Sequence, residues 1–187
     1  VIEYPARDDP SHDDAPTESL TDPAALRGRT GIPFEEETAV HDDRDHCNAD
    51  VAGRAVVAAT DDEGATLLLV NDELGIALLP HGTVDPGADW AAVARREAEG
   101  QTGVAVDLET VAAVRSAVHV VDGEDDPHAR THRVVFDATP AGGTIQDCKR
   151  SADAGSDAWR AGWFHALPEG VTPPGPGPEA DVELAFE

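Results

Sequence analysis

Residues 53 to 70 carry two short apolar runs. Arg54–Thr60 reads RAVVAAT and Thr66–Val70 reads TLLLV, each the length of one strand. Between them Asp61-Asp62-Glu63-Gly64 is rich in turn formers, so the pair is expected as a β-hairpin. Ile76–Leu79 gives a short third strand, and Pro80–Gly87 a loop with two glycines. The period then changes. From Asp89 to Thr102, Trp90, Val93 and Ala94 recur at helical spacing, Asp89 stands where an N-cap is wanted, and Gly103 follows for a left-handed turn. Val111–Val121, Arg133–Ala138 and Ala161–Ala166 supply further strands. Strands thus flank one central helix without regular βαβ alternation, which predicts an α/β or α+β mixture.

The ends differ from this middle. Residues 1–50 carry Asp8-Asp9, Asp13-Asp14 and Glu35-Glu36-Glu37 with scattered apolar positions, and are expected as an acidic, partly ordered extension. Within it, Asp22-Pro23 before Ala24-Ala25-Leu26 has the cap and first-turn proline of a short helix, and Ile32-Pro33-Phe34 suits a strand or loop laid on the core. Residues 51–187 are expected as one domain. In it, 168–178 (PEGVTPPGPGP) reads as a stiff linker, and Ala180–Phe186 as a final short helix or strand.

Charge changes the picture of the surface. With 38 acids, 23 of them Asp, against 13 bases of which only Lys149 is a lysine, the formal charge of the 187-residue chain is −25. Such a field disfavours nucleic acid or an anionic membrane as partner, and suits a protein that folds in concentrated salt. No apolar run approaches the roughly 18 residues of a membrane span. The first twenty residues are too acidic for a leader, so a cytoplasmic location is expected. Cys47 and Cys148 lack CxxC spacing and are expected as free thiols.

The chemistry lies in Leu79–Val104, LPHGTVDPGADWAAVARREAEGQTGV. Gly82, Arg96-Glu97, the apolar Ala98 and Gly103-Val104 stand at the spacing of the Nudix box, in which a Gly is followed after five residues by Glu, then after seven by Arg-Glu, an apolar residue, any residue, Glu-Glu, any residue, Gly and an apolar residue. A preceding Leu-Pro, Val84, Asp85 and Gly87 within the loop, and a late Gly162-Trp163-Phe164 agree. Over about residues 53–169 the chain resembles the Nudix hydrolases, as an acidic, haloarchaeal type of member. The resemblance implies an α/β/α sandwich with a mixed sheet and a central loop–helix–loop. It also implies Mg²⁺- or Mn²⁺-dependent water attack on the phosphoanhydride of a nucleoside diphosphate linked to another moiety. In such a box, helix-face carboxylates hold the cations that bridge phosphate oxygens.

This box is degenerate. Of the family's four glutamates only Glu97 remains, because the other positions hold Ala88, Gly100 and Gln101. Glu99 is no substitute, since two residues along a helix rotate it by about 200°. The resemblance therefore assigns Glu97 and Arg96 to the catalytic machinery, with Arg96 bracing the loop. Glu97 and Gln101 become the metal ligands, and Gly82 and Gly87 shape the phosphate-side loop. Arg96 has lost its usual loop partner at 88, leaving Asp85 or Asp89 to replace it. Gly100 reflects either a close backbone approach or drift after catalysis was no longer required. An outside carboxylate is sought in the acidic loop Asp122-Gly-Glu124-Asp125-Asp126, which otherwise reads as a solvated turn.

Other candidates are weaker. His41, Asp45, His46 and Cys47 have ligand side chains at irregular spacing, in a segment that reads as a solvated arm. His81 is expected as an exposed loop histidine, Trp90 and Trp163 as packing, and His119 and His132 as ordinary strand imidazoles. Two functions follow: a weak or altered pyrophosphohydrolase, or a silent domain that binds a nucleotide or protein in the same cleft. The lost glutamates incline toward the second. A homodimer is admitted by the sequence, not required by it.

Overall fold

The computed structural model describes residues 17–44, 50–124, 126–145 and 159–186. Among them a one-turn 3-10 helix, Pro23–Leu26, precedes β1 (Phe34–His41), β2 (Gly53–Ala59), β3 (Thr66–Asn71), β4 (Ile76–Leu78) and β5 (His81–Val84). Helix α1 (Trp90–Thr102), β6 (Val104–Val121), β7 (Ala129–Gly143), β8 (Trp159–Phe164) and α2 (Pro176–Ala185) follow. The larger sheet has the order β1-β6-β7-β2-β5 and the smaller β4-β3-β8. The larger is mixed: β1 runs parallel to β6 and β2 to β7, while β2–β5 and β6–β7 are antiparallel. This is the α/β arrangement expected of the Nudix-type fold.

Alternation along β2 explains the layers. Ala55, Val57 and Ala59 join a core with Trp90, Ala94 and Ala98 of α1. Val56 and Ala58, on the opposite face, join Leu68 and Val70 of β3 and Val182 of α2. One face of the larger sheet therefore takes α1, and the other takes the smaller sheet and α2. A strand buried on both faces reads as a continuous apolar run.

The expected hairpin does not form. β2 and β3 share only the bridge Thr60–Thr66 and then enter different sheets. Both hydrogen-bonding edges of β2 are taken, by β5 and β7, so none is left for β3. β6 also begins earlier than its apolar run suggests, at Val104, directly after the left-handed Gly103 that ends α1. Its first turns alternate buried Val104, Val106 and Leu108 with exposed Asp107 and Glu109. β8 starts at Trp159 and ends at Phe164, two residues before the expected range at each end.

The stretch read as a linker contains a helix start. Pro176 occupies the first helical position of α2, where its missing N–H costs nothing. No described helix is long and apolar enough to cross a membrane.

Candidate functional site

The loop between β5 and α1 is fixed at both ends. At the helix start, Asp89 Oδ1 accepts from the Ala91 and Ala92 amides at 2.9 and 3.3 Å, and from the Leu20 amide at 3.1 Å. Trp90 N–H returns a bond to Leu20 O at 2.8 Å, so a segment of the acidic extension is strapped across the first turn of α1. Burial opposes ionisation of Asp89, but these donors outweigh it and hold its carboxyl below the usual range. Gly87, with φ +80°, makes the left-handed turn of the loop.

Two turns further along α1, Glu97 lies against β5. A methyl group on Gly82 would stand 2.2 Å from Glu97 Cγ, so the carboxylate stem occupies the space that any other residue at 82 would fill. Both carboxylate oxygens are engaged. Oε1 accepts from Arg96 Nε and Nη2 at 3.1 and 2.9 Å, and Oε2 from Gln101 Nε2 at 3.3 Å. Arg96 thus pairs with its own neighbour and not with Asp85 or Asp89, because Asp89 is spent on the cap. Gln101 closes on the backbone of His81 as a neighbouring strand would. Its Nε2 donates to His81 O at 2.7 Å, and its Oε1 accepts from His81 N at 3.2 Å.

That network fixes the orientation of the amide. Flipped, Gln101 would set its oxygen against both His81 O and Glu97 Oε2, and its NH₂ against the His81 N–H. Glu97 and Gln101 therefore meet as the i, i+4 spacing requires, but Gln101 presents Glu97 with a donor and turns its carbonyl oxygen to the His81 amide. Among the described residues no three His, Cys, Asp or Glu side chains converge as a metal site. The arrangement does not fit a divalent cation held by protein groups alone. One carboxylate, freed from the exposed Arg96, fits a cation that brings phosphate oxygens with it.

Ala88 packs at the edge of the core beside α1, and Gly100 is exposed with no described atom within 4 Å of an added Cβ, which removes close approach as its reason. His81 is buried, not exposed: it opens β5, and its Nδ1–H donates to Leu79 O at 2.8 Å. Trp90 is buried in the core and Trp163 packs on it, as expected. His119 is buried, bonded through Nδ1 to His41 Nε2 and through Nε2 to Thr131 Oγ1, each at 2.8 Å. The half-buried His132 sits between Phe34 and Trp90, and burial pushes its pKa down. Asp45, His46 and Cys47 lie outside the described residues, as do Cys148 and Asp125. Glu124 of the acidic loop pairs with Arg44, so the described part of that loop shows no carboxylate joined to Glu97.

Sequence reasoning missed one ionic feature. Asp181 of α2, 1% exposed, bonds both Arg115 of β6 and Arg133 of β7. Separations of 66 and 48 residues leave no local signal of it.

A family model described as NUDIX domain matches residues 51–179. No curated protein matches the chain. Among solved structures, an ADP-ribose pyrophosphatase from Streptococcus suis is similar at 16% identity over 71% of this chain and 87% of its own, with a TM-score of 0.46. A UDP-X diphosphatase is similar at 18% identity over 75% of this chain and 64% of its own, with a TM-score of 0.48. A MutT protein from Bacillus halodurans is similar at 18% identity over 59% of this chain and 66% of its own, with a TM-score of 0.42.

Proposed function

Because this chain belongs to the NUDIX domain family, we propose that it binds a nucleoside diphosphate derivative at the β5–α1 loop and hydrolyses its phosphoanhydride weakly, with Mg²⁺ or Mn²⁺ arriving alongside the substrate phosphates. The observation that carries this reading is the state of Glu97. It is the one box glutamate left, and both its oxygens are held by hydrogen-bond donors, Arg96 and Gln101. Arg96 is two-thirds exposed and able to swing away, which frees one oxygen for a cation that phosphate oxygens also hold. Such a cation supplies Lewis-acid stabilisation of phosphate charge. Gly82 keeps the Glu97 stem against β5, and Gly87 shapes the loop. Loss of acid–base groups typically costs ~10²–10⁴ in rate, which sets the scale of the expected weakness.

A second reading, binding without turnover, is favoured by the closed Gln101–His81 pair, which takes up the backbone carbonyl next to Glu97. Calorimetry with Mn²⁺, alone and with ADP, together with turnover on nucleotide sugars, dinucleoside polyphosphates and nucleoside triphosphates, separates the two. Weak Mn²⁺ binding that tightens with ADP is expected, with slow turnover in the first reading and none in the second. Tight binding to the free protein that survives Glu97→Ala would place the metal elsewhere. Turnover near an ordinary ~10 s⁻¹ would mean that a base outside the box completes the site.

A further inference from the structure

The chain has 12 arginines against 38 acids, yet three of them, Arg54, Arg115 and Arg133, line a single cavity of about 290 Å³ on the face of the larger sheet away from α1. Arg54 lies in register with Thr83, and Ala55 with Gly82. Since alternate residues point to opposite faces, this cavity and Glu97 are on opposite sides of the sheet. The arginines are differently held. Asp181 of α2, itself buried, bonds Arg115 through Nη1 and Arg133 through Nε and Nη2, which fixes the two guanidinium groups in place. Each guanidinium carries five donors, so an NH₂ group on each remains available to a ligand. Arg54 is exposed and forms no ion pair among the described residues.

The start of α2 faces the same cavity. Gly175 caps it with no side-chain bond, and Pro176 and Pro178 have no N–H, so Gly177 carries the one amide of the three first helical positions and lines the cavity. Of the acids nearby, Glu37 lines the cavity and opposes the arginines, and the exposed Glu35 makes a long contact of 3.5 Å with Arg115. One carboxylate, Asp181, is shared by two of the three arginines, so the cavity keeps cationic donors in a chain of charge −25. Two clamped guanidinium groups, a third that is exposed and a helix amide are the donor set that planar or tetrahedral oxyanions need.

We propose that this cavity is an anion site, in which Arg54, Arg115, Arg133 and the Gly177 amide hold a phosphate-type group. It does not depend on the box, because it needs neither Glu97 nor a metal. The probe is inorganic pyrophosphate, titrated calorimetrically into the full chain in the presence of a chelator, at the lowest potassium chloride concentration that keeps it folded. Arg115 and Arg133 are unsuited to substitution, since either loss strips a partner from buried Asp181. Arg54 is exposed, and Arg54→Gln and Arg54→Glu are expected to leave the fold intact by circular dichroism. Pyrophosphate binding is expected to weaken about tenfold in Arg54→Gln and further in Arg54→Glu, while Glu97→Gln leaves it unchanged. Equal binding by wild type and Arg54→Glu, or no binding by wild type, overturns the site. Binding that appears only when Mn²⁺ replaces the chelator, and is then lost in Glu97→Gln, places the anion at the box, which overturns this proposal and supports the one above.

Discussion

Gly82 is required by contact, because Glu97 Cγ occupies the site of its missing methyl, whereas Gly100 faces open space near the end of the same motif's helix. Gly82→Ala must push the Glu97 stem off β5, and overpacking of this kind costs about 1–3 kcal/mol. Gly100→Ala removes a helix-interior glycine and should gain ~1 kcal/mol. For a chain of this size that is a change in melting temperature of about 2–4 °C per kcal/mol, downward in the first variant and upward in the second. Thermal melts of both, side by side, check it. A Gly100→Ala protein no more stable than wild type would mean that Gly100 has a use that the described contacts do not reveal. At this scale the sequence was legible where a rule is local, as with the Asp89 cap and the Gly103 turn. It was silent on the Gln101–His81 closure, which needs β5 and α1 already packed, and on Asp181, whose partners come from two distant strands.

At the scale of elements, the helix with its caps could be read in advance because its signals lie within one turn of each end. Strand pairing could not, because Asp61–Gly64 specifies a reversal and not which edge the next strand meets. β1 escaped periodicity too, since its run Phe34–His41 is a mostly exposed edge strand with little apolar pattern, held by parallel pairing to β6. The helix α1 also defines a repair. Gly100→Glu with Gln101→Glu would return three acids to one face with Glu97. The Gln101→Glu change removes the amide that donates to both His81 O and Glu97 Oε2, and sets a carboxylate oxygen against each of them in its place. The double variant should therefore melt lower than wild type in chelator and recover with Mn²⁺, with turnover rising ~10²-fold or more where the cleft accepts the substrate. Adding Ala88→Glu gives Arg96 an acid and should raise turnover again. A double variant whose melting ignores Mn²⁺ would show that the three acids do not build a metal site in this fold.

Over the whole molecule, charge sets the conditions under which any of these sites exists. Eight ion pairs join described residues, and apart from the two on Asp181 they are largely exposed, each worth ~0–1 kcal/mol. Over the whole chain there are too few bases to neutralise the 38 acids. Added salt weakens both the pairs and the repulsion, so the sign of its effect depends on which is larger. With 13 bases against 38 acids the repulsion is larger, and screening it should stabilise the fold. The Debye length falls from ~10 Å at 0.1 M to ~3 Å at 1 M, enough to separate neighbouring carboxylates electrostatically while leaving the buried Asp181 pairs little changed. The melting temperature is therefore expected to rise from dilute buffer to molar potassium chloride, and to rise less in variants that replace exposed Asp with Asn. Melts that coincide at the two salt concentrations would sink the halophilic reading, and would mean that the acids are spaced widely enough for water alone to hold them apart.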